Sequence, residues 1–215
     1  MTGSDFAQSV APRRVGLMGG SFDPVHQAHV NLAALALAQL HLDEVRWIPV
    51  GHPWQKSRQL ASAADRLAMV EAATAHEPRF VVDPIEVNRS GPSYTLDTVR
   101  ALQGSAEPDP GHWFLIIGQD QYANFHTWHG WQELLQRVTL AVAGRAGEPP
   151  RPGDALAAQP HDVVMLPLPP MPVSSTDIRA RLARGEYPAS LAPALVPEPV
   201  ARYIANHQLY APSHR

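Results

Sequence analysis

The chain has 215 residues, 45% of them hydrophobic and 17% charged, with 17 basic against 20 acidic side chains for a formal net charge of -3. That length suits one domain around one sizeable core, and the charge balance excludes both a strongly basic nucleic-acid binder and a disordered acidic tail. The absence of cysteine removes disulfides, thiolate metal sites and cysteine nucleophiles, so the chemistry falls to oxygen, ring nitrogen or a bound ion.

Residues 1–13 are small and polar and read as a flexible N-terminal tail ahead of a single domain over 14–210. The first apolar run is broken by Gly19 and Gly20, so no secretory leader fits, and no uncharged apolar stretch reaches the roughly 18 residues of a membrane span. A cytoplasmic protein without membrane or nucleic-acid partners is expected. In chain order, the pattern predicts a strand at Val15–Met18, an Ala-rich helix at Asn31–Leu40, and a strand at Val45–Val50. A helix over Ser62–His76 follows, opened by Ser62-x-x-Asp65 with Leu67, Val70 and Ala73 on one face. Next come a strand at Phe80–Val82, a helix over Ser93–Gln103 stopped by Gly104, and strands at Trp113–Ile117 and Leu140–Ala143. The Gly/Pro-rich stretch 144–160 reads as a long surface loop, followed by a strand at Val163–Leu166 and a helix over Ser174–Arg184 closed by Gly185. Alternating β and α elements predict an α/β fold: a Rossmann-like, doubly wound, mostly parallel sheet of five or six strands with helices on both faces. Ligands of such sheets bind beyond the carboxyl ends of the strands.

The loop after the first strand runs Gly19-Gly20-Ser21-Phe22-Asp23-Pro24-Val25-His26-Gln27-Ala28-His29 into an apolar helix. Two glycines let backbone approach a ligand closely, and a helix N-terminus supplies N–H donors and a partial positive charge. His26 and His29, three apart, place both imidazoles on one face toward that end. The features describe a phosphate cradle, though neither the dinucleotide fingerprint nor a P-loop is present. An ordinary turn, or a metal pair completed by Asp23, uses the same residues.

Gly118-Gln119-Asp120 follows the fourth predicted strand, where glycine admits a nucleoside and Asp120 either accepts ribose hydroxyls or caps the next helix. Trp128, among His126, His129 and Trp131, suits stacking on a heteroaromatic ring or packing in the core. Ser175 and Thr176 open the last predicted helix, with Arg179 on the same face, as an N-cap or as a second anion site. An enzyme for polyanions with so few charges is expected to concentrate its cations in one cleft.

The stretch GGSFDPVHQAH resembles the nucleotidyltransferase signature G-G-T/S-F-D-P-x-H-x-G-H, with Ala28 where the family carries glycine. The ordered set GGSFDPVH, HPWQK, PSYT, IIGQD, FHTW and SSTDIR resembles the nicotinate-nucleotide adenylyltransferase family from about Arg14 to Tyr210. The resemblance implies adenylyl transfer from ATP to nicotinate mononucleotide, giving deamido-NAD and pyrophosphate. It implies His29 on the α-phosphate with His26 orienting phosphates beside it, and Lys56, Arg179, Ser175 and Thr176 on the β and γ phosphates. Gly19, Gly20, Ser21, Phe22 and Gly118 would border ATP and Asp120 its ribose. Trp128 would stack on the pyridine ring, with Tyr94, Thr95 and His129 around the nicotinate carboxylate. His129 stands where an uncharged aromatic is common, and its protonated form would strengthen carboxylate binding. Mg²⁺ is expected to arrive with ATP, held by phosphate oxygens and water rather than by protein ligands. A homo-oligomer is left open.

Overall fold

Leu115 and Ile117 of the fourth strand face one layer of helices while Phe114 and Ile116 face the other, the two-sided burial that parallel strands require. The computed structural model describes residues 12–51, 60–104, 111–144 and 148–212. Its strands are β1 (Arg14–Gly20), β2 (Glu44–Pro49), β3 (Phe80–Val82), β4 (His112–Gly118), β5 (Thr139–Ala143) and β6 (Val163–Leu166). Its helices are α1 (Gln27–Gln39), α2 (Ala63–Thr74), α3 (Thr95–Gly104), α4 (Gln119–Ala123), α5 (Trp131–Arg137), α6 (Asp154–Ala157), α7 (Ser175–Ala183) and α8 (Glu198–Asn206). All pairings are parallel, and the six strands lie in the order β3-β2-β1-β4-β5-β6. Apolar residues of α1, α2, α7 and α8 pack on one face and those of α3, α4, α5 and α6 on the other. The chain therefore has the expected Rossmann-like α/β fold, with six strands.

The register positions the site. The β1–β4 ladder runs from Arg14↔His112 to Leu17↔Leu115, whereas β1 stays paired with β2 as far as Gly20↔Pro49 and β4 with β5 as far as Gly118↔Ala143. Past Leu17 and Leu115 the two central strands part, and the crevice opens between their carboxyl ends, where the strand order reverses.

Several local expectations hold at the level of single bonds. Ser62 caps α2 by accepting from the Asp65 N–H at 3.0 Å, and Gly185 takes φ +88 just past α7. Other expectations change. Helix α1 begins at Gln27 rather than Asn31, because extended His26 (φ -143, ψ 172) is already its N-cap and the polar opening turn conceals the apolar period. The stretch 144–160 is no plain surface loop: among its described residues it forms α6, whose Leu156 is fully buried. The Gln119 side chain binds Arg151 twice, donating to its carbonyl at 2.7 Å and accepting from its N–H at 2.9 Å. Gly153 lies where a Cβ would stand 2.3 Å from the Ala123 carbonyl oxygen, so the segment is docked on α4. Leu156→Ala is expected to cost about 3 kcal/mol of unfolding free energy, measured from urea midpoints at constant m-value; a loss near zero would return the segment to the status of a loose loop.

Candidate active site

His26 and His29 meet at the mouth of the crevice. The backbone N–H of His26 donates to Nδ1 of His29 at 3.1 Å, and the rings stack with centroids 3.6 Å apart. With Nδ1 accepting, a neutral His29 carries its proton on Nε2, the nitrogen that can then donate outward. The Phe22 ring meets His29 edge-on at 5.2 Å and is itself buried against Trp47 at 5.5 Å. His26 is 8% exposed, its Nδ1 has no hydrogen-bond partner, and burial pulls its pKa down from 6.5 to about 4. It is a neutral imidazole at pH 7.

The helix end they occupy is electrostatically distinct. Seven helices carry an acidic residue in the first turn (Asp65, Asp97, Asp120, Glu133, Asp154, Asp177 and Glu198), and α1 carries none. Its partial positive charge is thus not offset from within its own first turn, the condition for an anion site. At Gly20 an added Cβ would crowd the Phe22 ring at 3.0 Å. At Gly19 and Gly118 the nearest atoms to such a Cβ are 4.0 Å and 3.8 Å away, leaving space over the crevice.

The start of α7 is stitched onto the same loop. Ser175 Oγ donates to the Pro24 carbonyl at 2.9 Å, while Arg179 donates to the Asp23 carbonyl at 2.6 Å and to Thr176 Oγ1 at 3.1 Å. The N-cap itself is Ser174, which accepts from the Asp177 N–H at 3.1 Å. Asp23, fully buried, accepts from Tyr210 Oη at 2.7 Å and from the Ala61 N–H at 3.2 Å, and lies 3.8 Å from Arg179. Its carboxylate is engaged by these inward contacts, and among the described residues no group of three or more His, Cys, Asp or Glu lies together.

A second cluster forms across the opposite face. Salt bridges from Arg100 to Glu133 tie α3 to α5, bringing the rings of Tyr94 and His129 to 4.5 Å beside Thr95. Half-buried Trp128 lies 5.1 Å from the buried Phe125 ring, so packing and exposure are both realised in one side chain. Asp120 is exposed in the first turn of α4, whose N-cap is Gly118, so its side chain is not the cap. Lys56 lies outside the described residues.

A model of the cytidylyltransferase-like family matches residues 17–181. A protein of Methylibium petroleiphilum described as probable nicotinate-nucleotide adenylyltransferase is 56% identical over 200 residues, spanning 93% of either chain. The chain belongs to the nicotinate-nucleotide adenylyltransferase family. A Bordetella petrii member of the same description is 50% identical over 202 residues, covering 92% of this chain and 99% of its own. In structure, the Plasmodium falciparum nicotinic acid mononucleotide adenylyltransferase complexed with NaAD superposes with a TM-score of 0.74 at 15% identity, covering 92% of this chain and 97% of that one. That likeness extends to the fold.

Three residues of this family member escape motif reading. Arg66, 2% exposed on α2, donates to the carbonyls of Ala61, Ser21 and Gly51. Its signal was the spacing 66, 69, 70, 73, which places an arginine on the helix face that buries Met69, Val70 and Ala73. Glu86, whose carboxyl burial pushes upward, accepts from Thr98 Oγ1 at 2.8 Å and braces the start of α3. Tyr210 reaches Asp23 from the far end of the chain, which no local pattern announces.

The buried His26 also sets a pH dependence. The unfolded chain takes up a proton near pH 6.5 that the folded chain resists down to about 4, so stability present above pH 6.5 is lost as pH falls through that window. Urea unfolding at stepped pH should show a loss of about 3 kcal/mol from this group. In His26→Asn that component should vanish, and identical pH slopes for both proteins would contradict the assignment.

Proposed function

We propose that this chain transfers the adenylyl group of ATP to the phosphate of nicotinate mononucleotide, giving deamido-NAD and pyrophosphate in NAD biosynthesis. The observation that carries it is the pair His26–His29 at the acid-free N-terminus of α1, facing the crevice between β1 and β4, in a chain 56% identical to its family relative. A phosphate oxygen of the mononucleotide attacks the α-phosphorus of ATP, one P–O bond forms, and the bond to the bridging oxygen breaks as pyrophosphate leaves. The nucleophile is already ionised, its second pKa being about 6, so no general base is needed. Catalysis reduces to alignment and to stabilising charge on the α-phosphate and the leaving group.

In this scheme His29 Nε2 donates to the α-phosphate, and neutral His26 fixes its ring by stacking rather than by charge. Arg179, Ser175, Thr176 and Lys56 are assigned to the β and γ phosphates, while Gly19, Gly20, Ser21 and Phe22 are assigned backbone contacts to the chain of phosphates. Gly118 and Asp120 take the adenosine. Trp128 stacks on the pyridine ring, and Tyr94, Thr95 and His129 surround the carboxylate. Mg²⁺ would accompany ATP, held by phosphate oxygens and water, and would supply charge that offsets the phosphates.

Pyrophosphate release across a panel of nicotinate mononucleotide, nicotinamide mononucleotide and pantetheine phosphate tests the substrate, the first being expected to give the highest kcat/KM. Preference for another acceptor would move the chain to a sister activity, and ATP binding without turnover would make it a regulator. His29→Ala should lower kcat at least about a hundredfold in a protein that still melts cooperatively; near-normal turnover would remove His29 from the chemistry.

A further inference from the structure

We propose that Arg66 is a positioning residue for phosphate binding: from α2 its guanidinium fixes the Ser21 carbonyl, and so aims the Phe22 N–H away from the core and into the crevice. Arg66 is 2% exposed and lies below the loop, with Nε donating to the Ala61 carbonyl at 3.1 Å, Nη1 to Ser21 at 3.0 Å and Nη2 to Gly51 at 3.3 Å. These carbonyls belong to three segments: the exit of β1, the exit of β2, and the approach to α2. A planar fork of N–H donors can span them where a point charge cannot.

A trans peptide points its C=O and the following N–H in opposite directions. Holding the Ser21 carbonyl against a buried guanidinium therefore turns the Phe22 N–H outward. The preceding peptide obeys the same rule: the Gly20 carbonyl accepts from the Val50 N–H at 2.9 Å on the β2 side, which directs the Ser21 N–H toward the β4 side, where the crevice opens. Phe22 takes φ +46, a left-handed backbone that a bulky residue keeps only when its surroundings impose it. Two anchors impose it here, the ring wedged between His29 and Trp47 and the Arg66 bond on the preceding carbonyl. Ala61 joins this anchor to the one on Asp23, since its carbonyl accepts from Arg66 while its N–H donates to Asp23 Oδ1. Arg66 thus touches no reacting atom and acts through the backbone it orients.

The proposal rests on the adenylyl-transfer reading, and Arg66→Lys and Arg66→Gln test it in the full chain. Both variants should melt cooperatively at reduced Tm, with kcat/KM for ATP lowered about ten- to a hundredfold and KM for nicotinate mononucleotide unchanged within about twofold. Calorimetric affinity for inorganic tripolyphosphate should fall by a similar factor while that for adenosine stays, and Lys should retain more than Gln. Equal losses for both substrates, unchanged tripolyphosphate affinity in a folded variant, or failure of both variants to fold would each overturn the positioning role. Wild-type protein that releases no pyrophosphate would count against the reaction instead, and the two binding measurements still decide Arg66.

Discussion

The site exists because β1 and β4 stop pairing before either strand ends. Their ladder closes at Leu17↔Leu115, yet each strand continues for three residues on its other neighbour, to Gly20 and Gly118. The cause is topological: α1 and α2 lie on one face of the sheet, α3 through α6 on the other, and right-handed crossovers force the strand order to reverse at β1 and β4. No crossover covers that seam at the carboxyl end. Helix α1 begins at this opening, so its N–H groups, the glycine backbone and the two histidines are delivered together by the fold.

Burial then divides the work of the two imidazoles. Stacked at 3.6 Å, two protonated rings would repel strongly in a part-buried setting, but desolvation keeps His26 neutral, with its pKa near 4. His29 is left half-buried, oriented through Nδ1 and edge-packed on Phe22. The negative charge nearest to it in sequence is managed in the same spirit. Asp23 is fully buried, held by Tyr210 and Ala61 and offset by Arg179 at 3.8 Å, so it organises the loop without confronting an anion.

What could be read from sequence follows from how local each feature is. All six strands were legible as short apolar runs, continuous in the central strands that are buried on both faces and only partly buried in the edge strands β3 and β6. The stop of α7 at Gly185 follows from glycine chemistry, whereas Gly104 is the last residue of α3 itself. The site loops were legible because glycines, histidines and Ser/Thr cluster at strand ends. Missed elements have equally physical reasons. Helix α6 is a single turn, too short to show a period, and α5 opens on Trp131 after a left-handed Gly130 (φ +63), so its pattern merges with the aromatic segment before it. Helix α8, with Val200, Ala201 and Ile204 buried on one face, carried a readable spacing that lay beyond the motif-bearing segments. The inward roles of Arg66, Asp23 and Tyr210 depend on contacts up to 187 residues apart, which only the fold creates.

The distribution of cations among the described residues adds to the electrostatic account. Arg13 and Arg46 pair with Glu44, Arg79 with Glu77, Arg100 and Arg137 with Glu133, and Arg181 with Glu186. Such pairs at partly exposed positions each contribute about 0–1 kcal/mol, and they spend charge on tying surface elements together. Arg66 and Arg179 differ in kind, because both donate to main-chain carbonyls of the loop after β1. A guanidinium that captures a carbonyl turns the adjoining peptide dipole and lends the loop positive charge from beneath. On the proposed reading, the attraction for phosphate would come from oriented N–H groups, an uncompensated helix end and His29, reinforced by buried Arg66 and part-buried Arg179. A chain with net charge -3 can hold a polyanion on that basis, since field at the loop depends on orientation and burial rather than on the sum of charges.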